Sequence, residues 1–344
     1  MIALLGTVII FQVFSVSEGI KRTSTSGGDA QQNGLLALVS IERAARMAGF
    51  GINFSPLVNC LVQAHDEGPP ARDFTFTLVA AQIADGVTNA PDTITFTFGN
   101  SNQLLAPVKL TTTNVATASL FKVDNRFGFT AGDVIIAGEM GSTKNCAMRQ
   151  VTDLPVTPPE DVTNVAGTYV NSSGNSVTAR YNKAGGVGIS YNVWDNTSQS
   201  GGRLFNVGGT PTVVTFSIQN GQLVMANAIT GVSSAIADGI VQLQVLYGRD
   251  TDGDGNVDTW SPTMPVGATA TDWSRVLALR IGLVARSNLP ERPDATTGFC
   301  KTTTAEPTWT GGTLVISTDP NWQCYRYLVF ETTVPLRNNI WMQS

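Results

Sequence analysis

Charge is scarce in this chain of 344 residues, and what is present leans to the acidic side. Asp, Glu, Lys and Arg together make up 14% of the residues, whereas ordinary soluble domains contain about 25%. The formal net charge is −5, so the chain lacks the basic excess that binds phosphate backbones. Binding to nucleic acid is therefore not expected. The abundant Gly, Thr, Asn and Ser are instead typical of β-rich proteins that work outside the cytoplasm.

Side chains for catalysis and for zinc binding are also few. The single histidine, His65, stands beside Asp66 and Glu67 in a stretch that leads into Gly68-Pro69-Pro70. Neither a G-x-S-x-G nor an H-E-x-x-H motif accompanies it. The cysteines form no C-x-x-C pair of the kind that many zinc sites use. We therefore expect a protein that is not an enzyme.

Four cysteines are spread over the chain at Cys60, Cys146, Cys300 and Cys324. An even number beside a segment that directs a chain to the membrane suggests two disulfides in an oxidising compartment. Three pairings are possible. The most local one, Cys60–Cys146 with Cys300–Cys324, is the pairing that we favour, and free buried cysteines are the alternative.

The chain begins with an apolar run, residues 1–16, and the first charge is Glu18. At about 1.5 Å per residue a helix of this length spans about 24 Å, less than the roughly 30 Å of a hydrocarbon core. The run could be the core of a cleaved export signal or a helix that stays in the membrane. No Lys or Arg precedes it, although an export signal would have one, and a helical pattern continues after it. We therefore predict that residues 1–16 are the transmembrane part of a helix.

Residues 17–49 are predicted to be the amphipathic part of the same helix. Glu42 and Arg46 lie four residues apart and can form an ion pair, and Gly49 suits the end of a helix. The apolar side repeats at helical spacing and comprises Leu35, Leu38, Ile41, Ala45 and Ala48. One long helix is therefore expected to pack on the globular part of the chain.

The central part of the chain reads as β structure. Residues 50–151 form a first β-rich region, because stretches such as Asp92–Phe98 alternate between apolar and polar residues. A cluster of prolines marks a boundary near residues 152–161. Residues 152–238 form a Gly-, Asn- and Ser-rich β region, a possible insertion, with a hairpin turn at Asn220-Gly221. This region could be a display surface or a simple continuation of the sheet.

The last region, residues 239–344, contains the sharpest motif. A β-strand leads into a loop that contains Asp250, Asp252, Asp254, Asn256 and Asp258. The four carboxylates and the carbonyl of Asn256 occur at the spacing of an EF-hand loop, and Gly255 permits the sharp turn. Position 12 is Ser261 and no helices flank the loop, which departs from that motif. We expect a structural Ca²⁺ site; the alternative is an acidic turn whose carboxylates stay solvated.

Four passages together resemble the PilW-like minor pilins of type IV pili. They are Ile41–Gly51, Gly239–Asp258, Trp273–Ser287 and Phe330–Asn338. The resemblance implies an α+β pilin fold, in which a long N-terminal helix has a membrane half and an amphipathic half packed on an antiparallel, β-rich globular domain. Proteins of this family begin with a basic leader and Gly-Phe-Thr-Leu-x-Glu-Leu ahead of the apolar run. No such segment precedes Met1, so we expect an upstream start or a trimmed chain.

The same resemblance implies a role in building a filament. It implies a minor pilin that helps initiate type IV pilus assembly, sits near the filament tip and serves adhesion and twitching motility. The implied partners are other minor pilins, the major pilin and, through the helix, the inner membrane. The protein would be anchored there with a periplasmic domain before assembly, and would lie in the pilus at the cell surface afterwards. The alternatives are a minor pseudopilin of a type II secretion system and a secreted, calcium-binding, adhesin-like β protein.

Overall fold

The structure is a computed structural model that describes residues 2–52, 57–101, 106–294 and 296–340. Within these residues, three α-helices and 21 strands follow one another. The helices are α1 (Ile2–Met47), α2 (Ala270–Ser274) and α3 (Arg337–Ile340). The strands are β1 (Leu61–Asp66), β2 (Arg72–Thr77), β3 (Ala81–Ala84), β4 (Thr93–Phe98), β5 (Val108–Lys109), β6 (Leu120–Lys122), β7 (Val134–Met140), β8 (Cys146–Gln150), β9 (Asp161–Thr163), β10 (Thr168–Val170), β11 (Ser176–Thr178), β12 (Gly201–Gly208), β13 (Thr212–Gln219), β14 (Gln222–Asn227), β15 (Ser233–Asp238), β16 (Ile240–Arg249), β17 (Thr259–Ser261), β18 (Val276–Arg286), β19 (Thr308–Trp309), β20 (Gly312–Thr313) and β21 (Tyr327–Pro335).

The α+β class inferred from the sequence is wrong, because the chain is mostly β. Strands account for 38% of the residues, and α1 is the only helix of seven or more residues in the described part of the chain. No helix among the described residues is both long and apolar enough to cross a membrane. The membrane-spanning half expected for residues 1–16, and anchoring to the inner membrane through it, are therefore not supported. Glu18, Lys21 and Arg22 follow the apolar run closely.

The C-terminal half of α1 packs as expected, but through a different set of residues. Its buried face consists mainly of small residues, namely Ala30, Gly34, Ala37, Ile41, Ala44, Ala45 and Ala48. Leu35, expected on this face, is 47% exposed. Arg46 Nε donates to Glu42 Oε1 at 3.1 Å, and Gly49 ends the helix with φ +81°. The ion pair and the helix end are confirmed.

Three sheets form the body of the protein. The six-stranded sheet has the order β2-β1-β8-β7-β12-β5 and is antiparallel except where β1 and β8 run parallel. The five-stranded sheet, β15-β14-β13-β4-β3, and the four-stranded sheet, β17-β16-β18-β21, are antiparallel throughout. One hydrophobic core joins α1 to the five-stranded and four-stranded sheets, while separate cores lie beside the six-stranded sheet.

The four-stranded sheet is built around β18, whose sequence is almost continuously apolar. Nine of its eleven residues are buried, the pattern of a strand that is covered on both faces. On one face α1 crosses it, and on the other the indole of Trp309 lies against Gly282. An added Cβ at Gly282 would come within 2.4 Å of that indole, which explains the glycine in the middle of the strand.

Besides the shared hydrophobic core, hydrogen bonds of Asp92 and Tyr247 join the five-stranded sheet to the four-stranded one. Asp92 is fully buried at the start of β4, where its N–H donates to Leu243 O and its Oδ2 accepts from Val245 N, both at 2.8 Å. Burial, with a smaller contribution from Asp85, raises the pKa of Asp92 to about 6. Tyr247 on β16 is bonded through its hydroxyl to the N–H of Ile83 on β3.

Both disulfides have the pairing favoured from the sequence. Cys60 is bonded to Cys146, which joins the residue before β1 to the first residue of β8. Cys300 is bonded to Cys324 and closes the loop that carries β19 and β20. The cysteine prediction is therefore confirmed, and no free cysteine is present among the described residues.

The hairpin expected at Asn220-Gly221 is confirmed. The register pairs Gln219 with Gln222, and both turn residues have positive φ, 52° and 73°. An Asn-Gly pair adopts this turn readily because both central residues need positive φ. Strands β13 and β14 therefore form a β-hairpin within the five-stranded sheet.

Candidate functional site

The acidic motif lies in the loop between β16 and β17, where it closes a hairpin. Arg249, the last residue of β16, pairs with Thr259, the first of β17. The loop consequently begins and ends at the same place on the edge of the four-stranded sheet. Gly253 and Gly255 have φ of +90° and +85°, which favours glycine over other residues. These two glycines allow residues 250–258 to curl on themselves.

Three of the predicted ligand residues are brought together. Asp250, Asp252 and Asp254 each place a carboxylate oxygen within 4.8 Å of the other two. Asp250 is buried, with 2% exposure, while Asp252 and Asp254 are exposed. Such a set of hard oxygen donors suits Ca²⁺, which takes six to eight oxygen ligands. These three side chains are the candidate cation site.

The backbone of the loop holds Asp250 in its ionised form. Its Oδ1 accepts from Gly253 N at 2.5 Å and its Oδ2 accepts from Gly255 N at 2.9 Å. Burial alone would raise the pKa of Asp250, but these two N–H groups and the charge of Arg275 outweigh burial and hold the pKa below its usual value. A carboxylate that stays ionised is what a cation ligand requires.

Asp258 lies apart from this cluster. Its Oδ2 accepts from Thr251 N at 2.6 Å and from Thr251 Oγ1 at 2.8 Å, and these bonds lower the pKa of Asp258. The carboxylate therefore ties the end of the loop to its beginning. Asn256 donates its N–H and its side-chain amide to Asp254, which leaves its carbonyl as a further oxygen in the loop.

Two residues that the sequence did not single out also support the loop. Thr251 is the partner of Asp258, and its carbonyl accepts from Arg275 Nη1 at 3.1 Å. Asp250 N donates to the carbonyl of Arg275 at 3.0 Å. Arg275 follows α2, so the motif gave no signal that this residue would return to the loop.

His65 does not stand free in a cleft. Its Nδ1 is 2.6 Å from Asp73 Oδ1 and its Nε2 is 2.6 Å from Glu67 Oε2, and the residue is buried. Asp73 in turn binds Lys183 at 2.6 Å. The histidine thus joins strands β1 and β2 at their ends.

The interface between α1 and the four-stranded sheet is the second feature that bears on function. Gly34 lies on the ring of Phe330 in β21, and Asn338 Nδ2 donates to the carbonyl of Ala48 at 2.9 Å where the helix ends. The opposite side of α1 carries exposed apolar residues, with exposures of 44–57%. They are Leu35, Leu36, Val39 and Met47.

These features define a class of protein: a β-rich body of three sheets with one long helix laid over the C-terminal sheet. Residues 198–338 match the family Type IV Pilus-assembly protein W, PilW. The chain is PilW-like over these residues, which confirms the resemblance, and the match supports involvement in type IV pilus assembly. No curated protein and no solved structure matches the chain.

The matched residues include most of the features described above. They contain β12–β21 together with the acidic loop and the strand that receives Gly34. Three of the four passages that carried the resemblance lie inside the match, whereas Ile41–Gly51 in α1 lies outside it. Strands β3 and β4, which complete the five-stranded sheet, also precede the matched residues.

Proposed function

We propose that this chain is a minor pilin, a structural subunit that helps initiate type IV pilus assembly and sits near the filament tip. The observation that carries the proposal is the PilW match, which covers the whole four-stranded sheet against which α1 packs. A subunit of this kind acts by binding neighbours and needs no catalytic group.

The exposed side of α1 supports this proposal. Leu35 and Val39 lie four residues apart and are 47% and 57% exposed, while the opposite face of the helix is buried against the sheet. A helix that is apolar on both sides has a second face to bury against other helices. The proposed partners are other minor pilins and the major pilin. The proposed locations are the periplasm before assembly and the pilus at the cell surface afterwards.

A deletion strain tests this proposal. We expect loss of the gene to reduce the number of surface pili at least tenfold, and the intact chain supplied in trans to restore it. Val39→Lys should fail to restore piliation because it places a charge in the helix contact. Lys at Val115, which is 55% exposed and lies outside α1, is the matched control and should restore it. Normal piliation without the gene would contradict the proposal.

We propose further that the acidic loop holds a structural Ca²⁺. Asp250, Asp252 and Asp254 would supply carboxylates and Asn256 a carbonyl, with water in the remaining positions. The support is that these carboxylates converge and that the loop keeps the buried one ionised. The cation would neutralise three like charges and rigidify the turn between β16 and β17. The affinity should be that of extracellular modules, about 10⁻⁴–10⁻³ M.

Calcium is therefore expected to stabilise the protein. At 10 mM Ca²⁺ the free energy of unfolding should rise by about 1.4–2.7 kcal/mol relative to chelator, from that range of affinity. Replacing Asp252 and Asp254 together by alanine should abolish the rise without lowering stability in chelator. Asp238→Ala removes an exposed carboxylate outside the loop and should leave the rise intact. Thermal melts with Ca²⁺ and with chelator measure the stability of the wild type and of both variants. If the double variant differs from the wild type in melting temperature by the same amount in both conditions, the metal assignment is wrong.

Two other functions share parts of this architecture. A minor pseudopilin of a type II secretion system would have the same helix and sheet, and a secretion defect with normal piliation in the deletion strain would identify it. If the chain is a secreted, calcium-binding, adhesin-like protein, deletion of its gene should leave both piliation and type II secretion unaffected. Loss of surface binding in the deletion strain, with piliation and secretion both normal, would favour that function.

A further inference from the structure

Strand β21 forms one edge of the four-stranded sheet, and alternate residues turn their backbone groups away from the sheet. Leu336 N donates to Leu277 O at 2.8 Å, and Ser287 N donates to Arg326 O at 2.9 Å, on either side of an unbroken register. Even-numbered residues therefore bond to β18. In an antiparallel ladder the alternate residues face the other way. These are Tyr327, Val329, Glu331 and Thr333, and we call them the open edge.

The open edge has defined ends. Just before β21, the edge is covered by residues 302 and 303 of the same chain. Thr302 N donates to Gln323 O at 3.0 Å, and Thr303 Oγ1 donates to Tyr325 O at 2.6 Å. On the other side Pro335 has no N–H to offer. Between these ends, no backbone group among the described residues bonds to the outward N–H and C=O groups of the open edge.

The open edge has few of the features that protect sheet edges. Natural edges are protected by lysines, inward charges, prolines, bulges or very short strands. Here β21 has nine residues, an unshifted register and no proline before its last position. Leu328 and Val329 are 39% and 36% exposed. The only charge, Glu331, accepts from Thr310 N and Oγ1 at 2.8 Å, so its carboxylate is fixed on one face of the strand.

The symmetric antiparallel pairing of two copies of this chain through the open edge is not compatible with α1. Antiparallel pairing of two β21 strands that uses all four outward residues has its two-fold axis at Phe330 and places both α1 helices on the same face. Gly34 of α1 lies directly on the Phe330 ring, so both helices would cross at the axis. Paired strands are about 4.8 Å apart, whereas packed helices need about 8–10 Å. A strand that carries no helix over this face avoids this clash.

We propose that the open edge binds an extended segment of another pilus subunit, which adds to the sheet as a fifth strand. The partner follows from the proposed role as a minor pilin, and the inference rests on that role. Main-chain hydrogen bonds to the four outward residues would supply affinity. A Lys or Arg of the segment opposite Glu331 would complement its charge. Small or apolar residues would face α1 beside Leu328.

Proline substitutions separate the backbone ladder from the side chains. Val329→Pro with Thr333→Pro removes two outward N–H groups without touching a bond to β18, and extended backbone accommodates proline. The melting temperature should stay within a few degrees of the wild type. Val329→Ala with Thr333→Ala is the matched control, since it shortens the same side chains and keeps both N–H groups. Both are expressed as full chains in the deletion strain, where pili are counted.

We expect the proline variant to lower pilus number at least tenfold and the alanine variant to restore it. Wild-type piliation with the proline variant would overturn the inference, as would equal loss with the alanine variant, which would mean recognition by side chains. Normal piliation without the gene would instead remove the proposed function and the inference with it. A proline variant that melts far below the wild type is replaced by Val329→Pro alone, with the same two outcomes.

Discussion

Replacing Gly34 by leucine is expected to lower the free energy of unfolding by about 2–3 kcal/mol, the upper range for overpacking. An added Cβ at this position would lie 2.1 Å from the ring of Phe330. The ring is held between α1 and its neighbours in the core, so the helix must lift from β21 to accommodate the side chain. Urea unfolding followed by far-UV circular dichroism measures the loss.

Gly28 provides the control, because it lies in the same helix and has nothing within 4 Å of an added Cβ. Leucine in an exposed helix interior is favoured over glycine by about 0.5–1 kcal/mol. Gly28→Leu should therefore stabilise the protein, so the two substitutions should change stability in opposite directions. Equal stability of both variants would contradict the description of the interface between helix and sheet.

Loss of the Cys60–Cys146 disulfide is expected to be the other large effect. The bond spans 86 residues, and closing a loop of that length in the unfolded chain corresponds to about 4.6 kcal/mol in the chain-entropy model. It also lies beside the parallel pair β1 and β8, where Val62 is paired with Cys146. Replacing both cysteines by alanine should cost about 2–5 kcal/mol in unfolding free energy.

The second disulfide is the matched comparison for this prediction. Cys300–Cys324 spans 24 residues, for which the same model gives about 3.4 kcal/mol. The pair of alanine substitutions there should cost about 1 kcal/mol less than the first pair. Urea unfolding of the two double variants measures the difference. A larger loss at Cys300–Cys324 would show that loop length does not control these effects.

Local patterns in the sequence predicted the elements whose contacts are local. The end of α1 at Gly49 and the turn at Asn220-Gly221 follow from residues that need positive φ. The acidic loop was also recognised, because its spacing is fixed within nine residues. The disulfide pairing followed from proximity along the chain. For the helix end, the turn and the acidic loop, a few neighbouring residues determine the structure.

The failures concern contacts between distant residues. Leu35 was assigned to the buried face of α1, yet it is exposed and Gly34 is buried instead. The reason is that the ring of Phe330 in β21, which is distant in sequence, packs against the helix at Gly34. The α+β class gave the single long helix too much weight beside the β regions that the sequence also predicted. Arg275 and Thr251, which brace the acidic loop, become neighbours only when β18 pairs with β16. Periodicity along one segment carries no information about its partner.

The contact between Asn338 and Ala48 has a consequence for how the chain is made. Asn338 lies 290 residues after the helix end that it holds, and the strand that covers Gly34 is likewise synthesised long after α1. At about 5–20 residues per second, α1 would wait roughly 15–60 s for these residues. During that time neither apolar side of the helix has its final partner. Contacts of such high sequence separation form slowly, so the nascent chain depends on whatever shields α1 until these residues have been made.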